Sequence, residues 1–304
     1  VTQVGQVGQA VAAPRAVAQP RPRRSPAWWD GVKHNPSLAV GLAIVSLIVL
    51  FGLIGPFLIK QDATRTTAFA KDLRPSAAHV LGTDSFGRDI MALIVVGTPQ
   101  TVKVGLIAGV IAVVVGTIFG FIQGYYPGPL GSTVRGLTDV VLTIPALLIL
   151  ITLASQVKQV SVEGMALIIA ALAWPGASRA IGSQVLALRE RAFVSLAYFN
   201  GMSGPKIIVK EMMPNMMPYL GATFVHAVST AILFAIGLEV LGLGPQTTNT
   251  LGMTIYWSQL NSAVVRGLVW WWLSPVVVVV LLFIGLFLIS QGLDKLANPR
   301  LNTR

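Results

Sequence analysis

The chain has 304 residues, of which 54% are apolar and only 11% charged, with a formal net charge of +11. Soluble domains carry about a quarter charged residues, so a chain this poor in charge lacks the surface needed to stay dispersed in water and reads as an all-α integral membrane protein. Its 22 Lys and Arg are scattered between apolar blocks, which excludes a nucleic-acid-binding face, and the absence of cysteine excludes disulfides and thiol chemistry.

Residues 1–27 are rich in Gln, Val, Ala, Gly, Pro and Arg. They cannot build a core and are expected to be a disordered cytoplasmic leader. A signal peptide is the rival reading, but the first apolar block starts late, is long, and lacks a cleavage site after it. Trp28 and Trp29 mark a membrane interface. Residues 28–304 then form one transmembrane domain.

A helix crossing the hydrocarbon core needs about 20 apolar residues. Six segments qualify, at about 37–59, 104–125, 140–156, 164–178, 216–243 and 267–290. The fourth looks short and ends at Trp174-Pro175-Gly176. In the second, Gly105, Gly109, Gly116, Gly120 and Gly124 form one small-residue stripe suited to close helix packing. Six spans put both termini on one side. The termini and the loops 126–137 and 179–215 hold 14 of the 22 Lys and Arg, so the positive-inside rule places that side in the cytoplasm.

Residues 79–89 read His-Val-Leu-Gly-Thr-Asp-Ser-Phe-Gly-Arg-Asp. Gly82 and Gly87 allow tight turns, Asp84 and Arg88 are spaced to pair, and Asp89 favours the start of a following helix. The segment, with His79 and Thr83, is either a structured external turn or a substrate contact. The three histidines, His34, His79 and His226, have no metal-ligand spacing.

The loop 193–214 carries Phe193, Leu196, Tyr198 and Phe199, which are costly to leave in water. Phe193–Phe199 predicts a short helix ended by Asn200-Gly201. Ser203 suits an N-cap and Pro205 a first helical position, so a second short helix follows, and Pro214 helps set the start of the fifth span. These helices lie on the cytoplasmic face, covered either by a partner protein or by lipid headgroups. Gly201-Met-Ser-Gly204 matches a pattern of intramembrane serine proteases, but Ser203 lies in a basic loop without a facing histidine.

His226 and Glu239 are ionisable residues within the fifth span and so default to function. At ~100° per residue they point about 140° apart, which argues against a direct pair. His226 either lines a transport path or satisfies a neighbouring helix. Glu239 lies near the outer end of its span, where it can line that path or reach water.

The segment 193–214 resembles the cytoplasmic coupling loop of permease subunits in binding-protein-dependent ABC importers. That signature is Glu-Ala-Ala, three residues, Gly, then an Ile-rich stretch ending in Leu-Pro. Ala197 holds its third position and Gly201 its glycine, and Ile207, Ile208, Pro214 and Asn215 also fit. Ser195 replaces Glu, Leu196 replaces Ala, and Glu211 stands where the family often has His. Residues 79–89 resemble the His-x-Leu-Gly-Thr-Asp-x-x-Gly-Arg-Asp motif of the dipeptide/oligopeptide subfamily, specifically its C-type subunit. Leu241-Gly-Leu-Gly244 resembles that subfamily's Phe-Leu-Gly-Leu-Gly turn with Val240 for Phe, and residues 292–300 resemble its C-terminal ending.

The resemblance implies a type I ABC-importer-like permease in a prokaryotic cytoplasmic (inner) membrane. It implies a second homologous permease subunit, two ATPase subunits or one fused ATPase chain docked on the loop 193–214, and an external substrate-binding protein. ATP and magnesium would sit on those ATPases, since this chain contains no Gly-x4-Gly-Lys-Ser/Thr. It is thus a transporter subunit rather than an enzyme, with no cofactor or metal of its own. The implied cargo is di- or oligopeptides, although relatives also carry haem, nickel or glutathione. A stand-alone secondary transporter is the rival class, favoured only by the short fourth span with Pro175-Gly176.

Overall fold

A computed structural model of the chain describes residues 35–59, 61–157 and 159–297. The expected leader at 1–27, the interfacial Trp28 and Trp29, and His34 lie outside the described residues, as does the chain beyond residue 297. Regular structure among the described residues is helical: α1 (Pro36–Leu58), α2 (Ile90–Tyr125), α3 (Pro129–Thr143), α4 (Ala146–Ser155), α5 (Val162–Arg189), α6 (Ala192–Phe199), α7 (Gly204–Val240), α8 (Leu251–Leu260) and α9 (Val269–Ala297). Five of these, α1, α2, α5, α7 and α9, are long and apolar enough to span a membrane, and α3 with α4 forms a pair bent by 73° that meets the same test only when taken together, as a broken span or a re-entrant loop.

The expected six spans thus correspond to five long helices and one bent pair, and several helix boundaries differ from the apolar runs. The second helix starts at Ile90 rather than near 104 and has 36 residues. At 1.5 Å per residue it is about 54 Å long, well beyond the ~30 Å hydrocarbon core, so it extends past that core. The third span is broken because Ile144 precedes Pro145 and adopts an extended conformation (φ −88°, ψ 128°) that a residue before proline prefers. The fourth span is not short. It runs 28 residues to Arg189 with Pro175 inside, since a transmembrane helix tolerates one missing N–H when its neighbours hold it.

The fifth begins earlier still. Gly204–Val240 is one continuous helix of 37 residues, in which Ile208–Met212 forms a π turn. The second short helix expected in the loop is thus the first turn of α7, and Pro214 lies within the helix rather than at its start.

Helix α2 is the hub. It packs against α5, α7 and α1. The glycine stripe on its surface serves two partners. Gly105 and Gly109 meet Ile232 and Val228 of α7, while Gly116, Gly120 and Gly124 meet Trp174, Ala177, Ser178, Ile181, Gly182 and Val185 of α5. Association in lipid depends on close contact and polar clasps rather than on the hydrophobic effect. Here the buried Gln123 Nε2 donates to Ser178 O at 2.7 Å and to Ser178 Oγ at 2.9 Å. Lys103 pairs with Glu163 towards the other end.

These contacts make α2 and α5 parallel, and α7 antiparallel to both. Helix α1 lies antiparallel to α9, its N-cap Asn35 donating through Nδ2 to Gly292 O at 2.8 Å. Antiparallel contacts of Gly52 with Pro99 and Gly55 with Val95 set α1 against α2. Asn35, the end of α9, the end of α2 and the α5–α7 connection therefore share one face.

A Cβ at Gly120 would lie 2.9 Å from Ile181 Cβ and 3.0 Å from Ser178 O. Gly120→Leu is expected to cost about 1–3 kcal/mol by overpacking, read as a lower thermal midpoint of the detergent-purified chain. Gly136→Ala, where a Cβ meets nothing within 4 Å, is expected to leave the midpoint unchanged or slightly raised.

Candidate functional site

Two of the segments singled out in the sequence lie at opposite ends of the bundle. At one end, α6 and the start of α7 fold onto the ends of α2 and α5. Val194, Ala197, Ile207, Met212 and Met216 are buried with Phe121, Ile181 and Val185, and half-buried Phe193 and Tyr125 pack on this cluster. Gly201 has φ +77°, the left-handed C′ conformation that ends α6, whereas Asn200 stays at φ −77°. Ser203 occupies the N-cap of the next helix, but its side chain makes no capping hydrogen bond. Arg135 and Arg189 donate to the terminal carbonyls of α2, at Gln123 and Tyr125. Cations suit a helix C-terminus.

The outward face of this block is apolar. Leu196 is 61% exposed, Tyr198 68% and Phe199 81%. Ser195 and Pro214 are also exposed, and Glu211 is half-buried. The remaining positions singled out in the sequence divide cleanly: Ala197 and Ile207 hold the block together, while Ser195, Leu196 and Pro214 face outward.

At the other end, residues 79–89 fold into a closed knot above α2. Gly82 (φ +73°) and Gly87 (φ +75°) both need the left-handed region. A Cβ at either would also strike a backbone carbonyl, of Leu73 or Phe69. Asp84 is completely buried. Its carboxylate accepts from Phe86 N at 2.9 Å, Arg88 N at 2.8 Å and Arg88 Nε at 2.6 Å. The Arg88 guanidinium lies 4.7 Å from the centre of the Phe86 ring.

Thr83 Oγ1 donates to Ala70 O at 2.7 Å and accepts from Leu73 N at 2.9 Å. Asp89 caps α2 by accepting from Ala92 N at 3.0 Å, and its other oxygen meets His79 Nδ1 at 2.8 Å. The polar side chains of the motif thus bond mainly to one another. Arg266 ties the knot to the loop before α9 by pairing with Asp72 and donating to Ser85 Oγ.

The two ionisable residues of the fifth span part company, as their spacing predicts. His226 is exposed in a groove between α5, α7 and α9. Glu239 does not reach water. It is completely buried, against Gly244 and Gly252, where a Cβ at 252 would strike its Oε2. Neither carboxyl oxygen makes a well-formed hydrogen bond among the described residues. The carboxyl faces the first turn of α8, whose remaining N–H groups are satisfied by Thr101 and Thr250. Sequence reasoning missed this because the two glycines that make room for it lie beyond the end of α7.

An all-helical body with five or six apolar spans, an exposed apolar face at one end and a polar knot at the other, defines a multi-pass membrane protein. The chain belongs to the family of binding-protein-dependent transport system inner membrane components, which matches residues 112–303. It is 30% identical over 274 residues to the dipeptide transport system permease protein DppC of Alkalihalophilus pseudofirmus, covering 90% of this chain and 88% of that protein. It is 32% identical over 227 residues to the oligopeptide transport system permease protein OppC of Escherichia coli, covering 72% of this chain and 74% of that one. Among solved structures, one of the MetNI methionine ABC transporter in inward-facing conformations is similar, with a TM-score of 0.53 and 20% identity over 71% of this chain and 98% of that chain. At that identity the likeness concerns the fold.

Removing one partner of a buried ion pair costs about 3–5 kcal/mol. Asp84→Ala is therefore expected to open the external knot, read as faster tryptic cleavage at the exposed Arg65 and Lys71. Gly252→Ala is expected to destabilise the chain, and Glu239→Ala in the same chain to relieve part of that loss. The thermal midpoints of the single and double variants would then depart from additivity by about 0.5–3 kcal/mol.

Proposed function

We infer that this chain is one membrane subunit of an ATP-driven importer of di- or oligopeptides. The observation that carries the reading is the rigid block at the end of α2 and α5, which presents Leu196, Tyr198 and Phe199 outward. Residues this apolar on a basic, water-facing loop mark a protein contact. The clustered core beneath them makes the loop stiff enough to transmit a displacement into α7. The names of the relatives, dipeptide and oligopeptide permeases, supply the cargo class.

On this reading the face bearing Asn35, α6 and the end of α9 is cytoplasmic, as the excess of Lys and Arg there requires. Ser195, Leu196 and Phe199 contact a cleft on a cytosolic ATPase, and a second ATPase site serves a homologous permease subunit. ATP and magnesium are held by those ATPases, while an external binding protein delivers substrate to the opposite face. Closure of the ATPase pair moves the docked block. Because α7 continues unbroken from that block, the motion passes directly into the span that carries His226 and Glu239.

Phe199→Asp is expected to insert at a normal level yet to lose co-purification of the ATPase subunits in mild detergent. Gly201→Val forces a branched side chain into φ > 0, a strain of roughly 1–2 kcal/mol. It is expected to abolish uptake of L-alanyl-L-alanine into proteoliposomes holding the whole complex and ATP. Normal uptake by the Gly201→Val complex at equal expression would undo the coupling assignment.

A further inference from the structure

The groove that holds His226 consists of two adjoining cavities of about 360 and 590 Å³ that share His226, Ser290 and Asp294. Its wall on α5 is small: a Cβ at Gly176 would meet nothing within 4 Å, and Ala173, Ala177 and Ala180 follow. This volume falls in the range of small-solute sites. Alanines of α5 and α7 and the apolar side chains of α9 (Phe283, Leu286, Phe287) make most of the lining, and Tyr219, Thr223, His226, Ser229 and Asp294 set polar groups among them.

Three of the groove's hydroxyls are oriented as acceptors. Tyr219 donates its hydroxyl to Ala180 O at 3.1 Å, Thr223 donates to Tyr219 O at 2.9 Å, and Ser229 donates to Val225 O at 2.9 Å. Each hydroxyl has spent its proton on a carbonyl, and its lone pairs remain available to the groove. Asp294 adds a full negative charge and makes no hydrogen bond or ion pair among the described residues. It stands in the last turn of α9, where the helix dipole disfavours an acid. Its neighbour Lys295 turns away, its Nζ lying 3.4 Å from Ser37 Oγ on α1. Asp294 is exposed on the groove lining, so its carboxylate is open to a cationic ligand.

We propose that this groove binds a primary ammonium group, with Asp294 as its counter-charge and Tyr219, Thr223 and Ser229 as acceptors. An ammonium has three donors and no acceptor, which suits a carboxylate and hydroxyls presented as acceptors in one groove. On the peptide-import reading, from which the identity of the amine follows, it is the free amino end of a peptide passing along this wall. The headgroup of phosphatidylethanolamine carries the same chemistry and is the other source.

The test uses the whole complex in nanodiscs. Because the chain has no cysteine, Thr230→Cys at the groove wall gives this subunit a single thiol. Its rate of modification by a methanethiosulfonate reagent reports occupancy. In phosphatidylcholine discs, L-alanyl-L-alanine is expected to slow modification and N-acetyl-L-alanyl-L-alanine to leave it unchanged. Asp294→Asn is expected to raise the concentration for half protection about tenfold or more, and Asp294→Glu to restore it.

Slowing by phosphatidylethanolamine discs alone, lost in Asp294→Asn, supports the ammonium site with lipid as its source. Equal protection by both peptides, protection that survives Asp294→Asn, or no protection by either amine overturns the proposal. Uptake of L-alanyl-L-alanine by proteoliposomes, measured separately, distinguishes a failed groove from a failed import reading.

Discussion

The bundle depends on how closely one face of α2 admits its neighbours. A stripe without side chains lets α7 approach one half of the helix and α5 the other. In lipid, where burying apolar surface between helices gains little, such an approach has to be held by van der Waals contact and by polar groups that find partners. Gln123 with Ser178, and Arg135 and Arg189 on the last carbonyls of α2, provide those partners at the same end. The block containing α6 is built on that end and inherits its rigidity.

The two ends of the molecule handle exposed chain in opposite ways. Residues 79–89 turn their polar side chains inward, and Asp84 and Thr83 are completely buried. The α5–α7 connection does the reverse, with buried aliphatic residues beneath and aromatic residues outside. A loop tied by this many internal hydrogen bonds keeps its own shape, although Arg88 Nη2 finds no partner among the described residues. A loop that leaves Phe199 81% exposed is complete only when something covers it. The contrast separates the self-sufficient end from the end shaped for a partner.

Most of the architecture was legible in apolar run length, and the glycine pairs in the 79–89 turn and the Gly201 terminus were legible from residue type. The misreadings have local physical causes. In α2 the cluster Thr98, Pro99, Gln100 and Lys103 interrupts the apolar sequence that begins at Ile90, so an uncharged apolar run is found only after Lys103. Helix α5 likewise continues past its apolar part through Arg179 and Ser183, Arg179 being paired with Asp139 on α3 at 3.0 Å. The break at Ile144-Pro145 carried its signal in plain view, but an apolar run hides a proline from a composition test. Glu239 and Asp294 were beyond reach of pattern reasoning. The burial of the first depends on glycines in the following segment, and the second acquires meaning only when α7 and α9 bring it beside His226.

The unbroken helix from Gly204 to Val240 acts as a lever arm. Its 37 residues span about 55 Å at 1.5 Å per residue, so a tilt of about 5° applied at the loop end sweeps the far end through about 5 Å by the same geometry. At that far end sits Glu239, wedged against the first turn of α8. Small rotations of the docking block are therefore magnified where the bundle closes on its other side, and α8 is carried along with them.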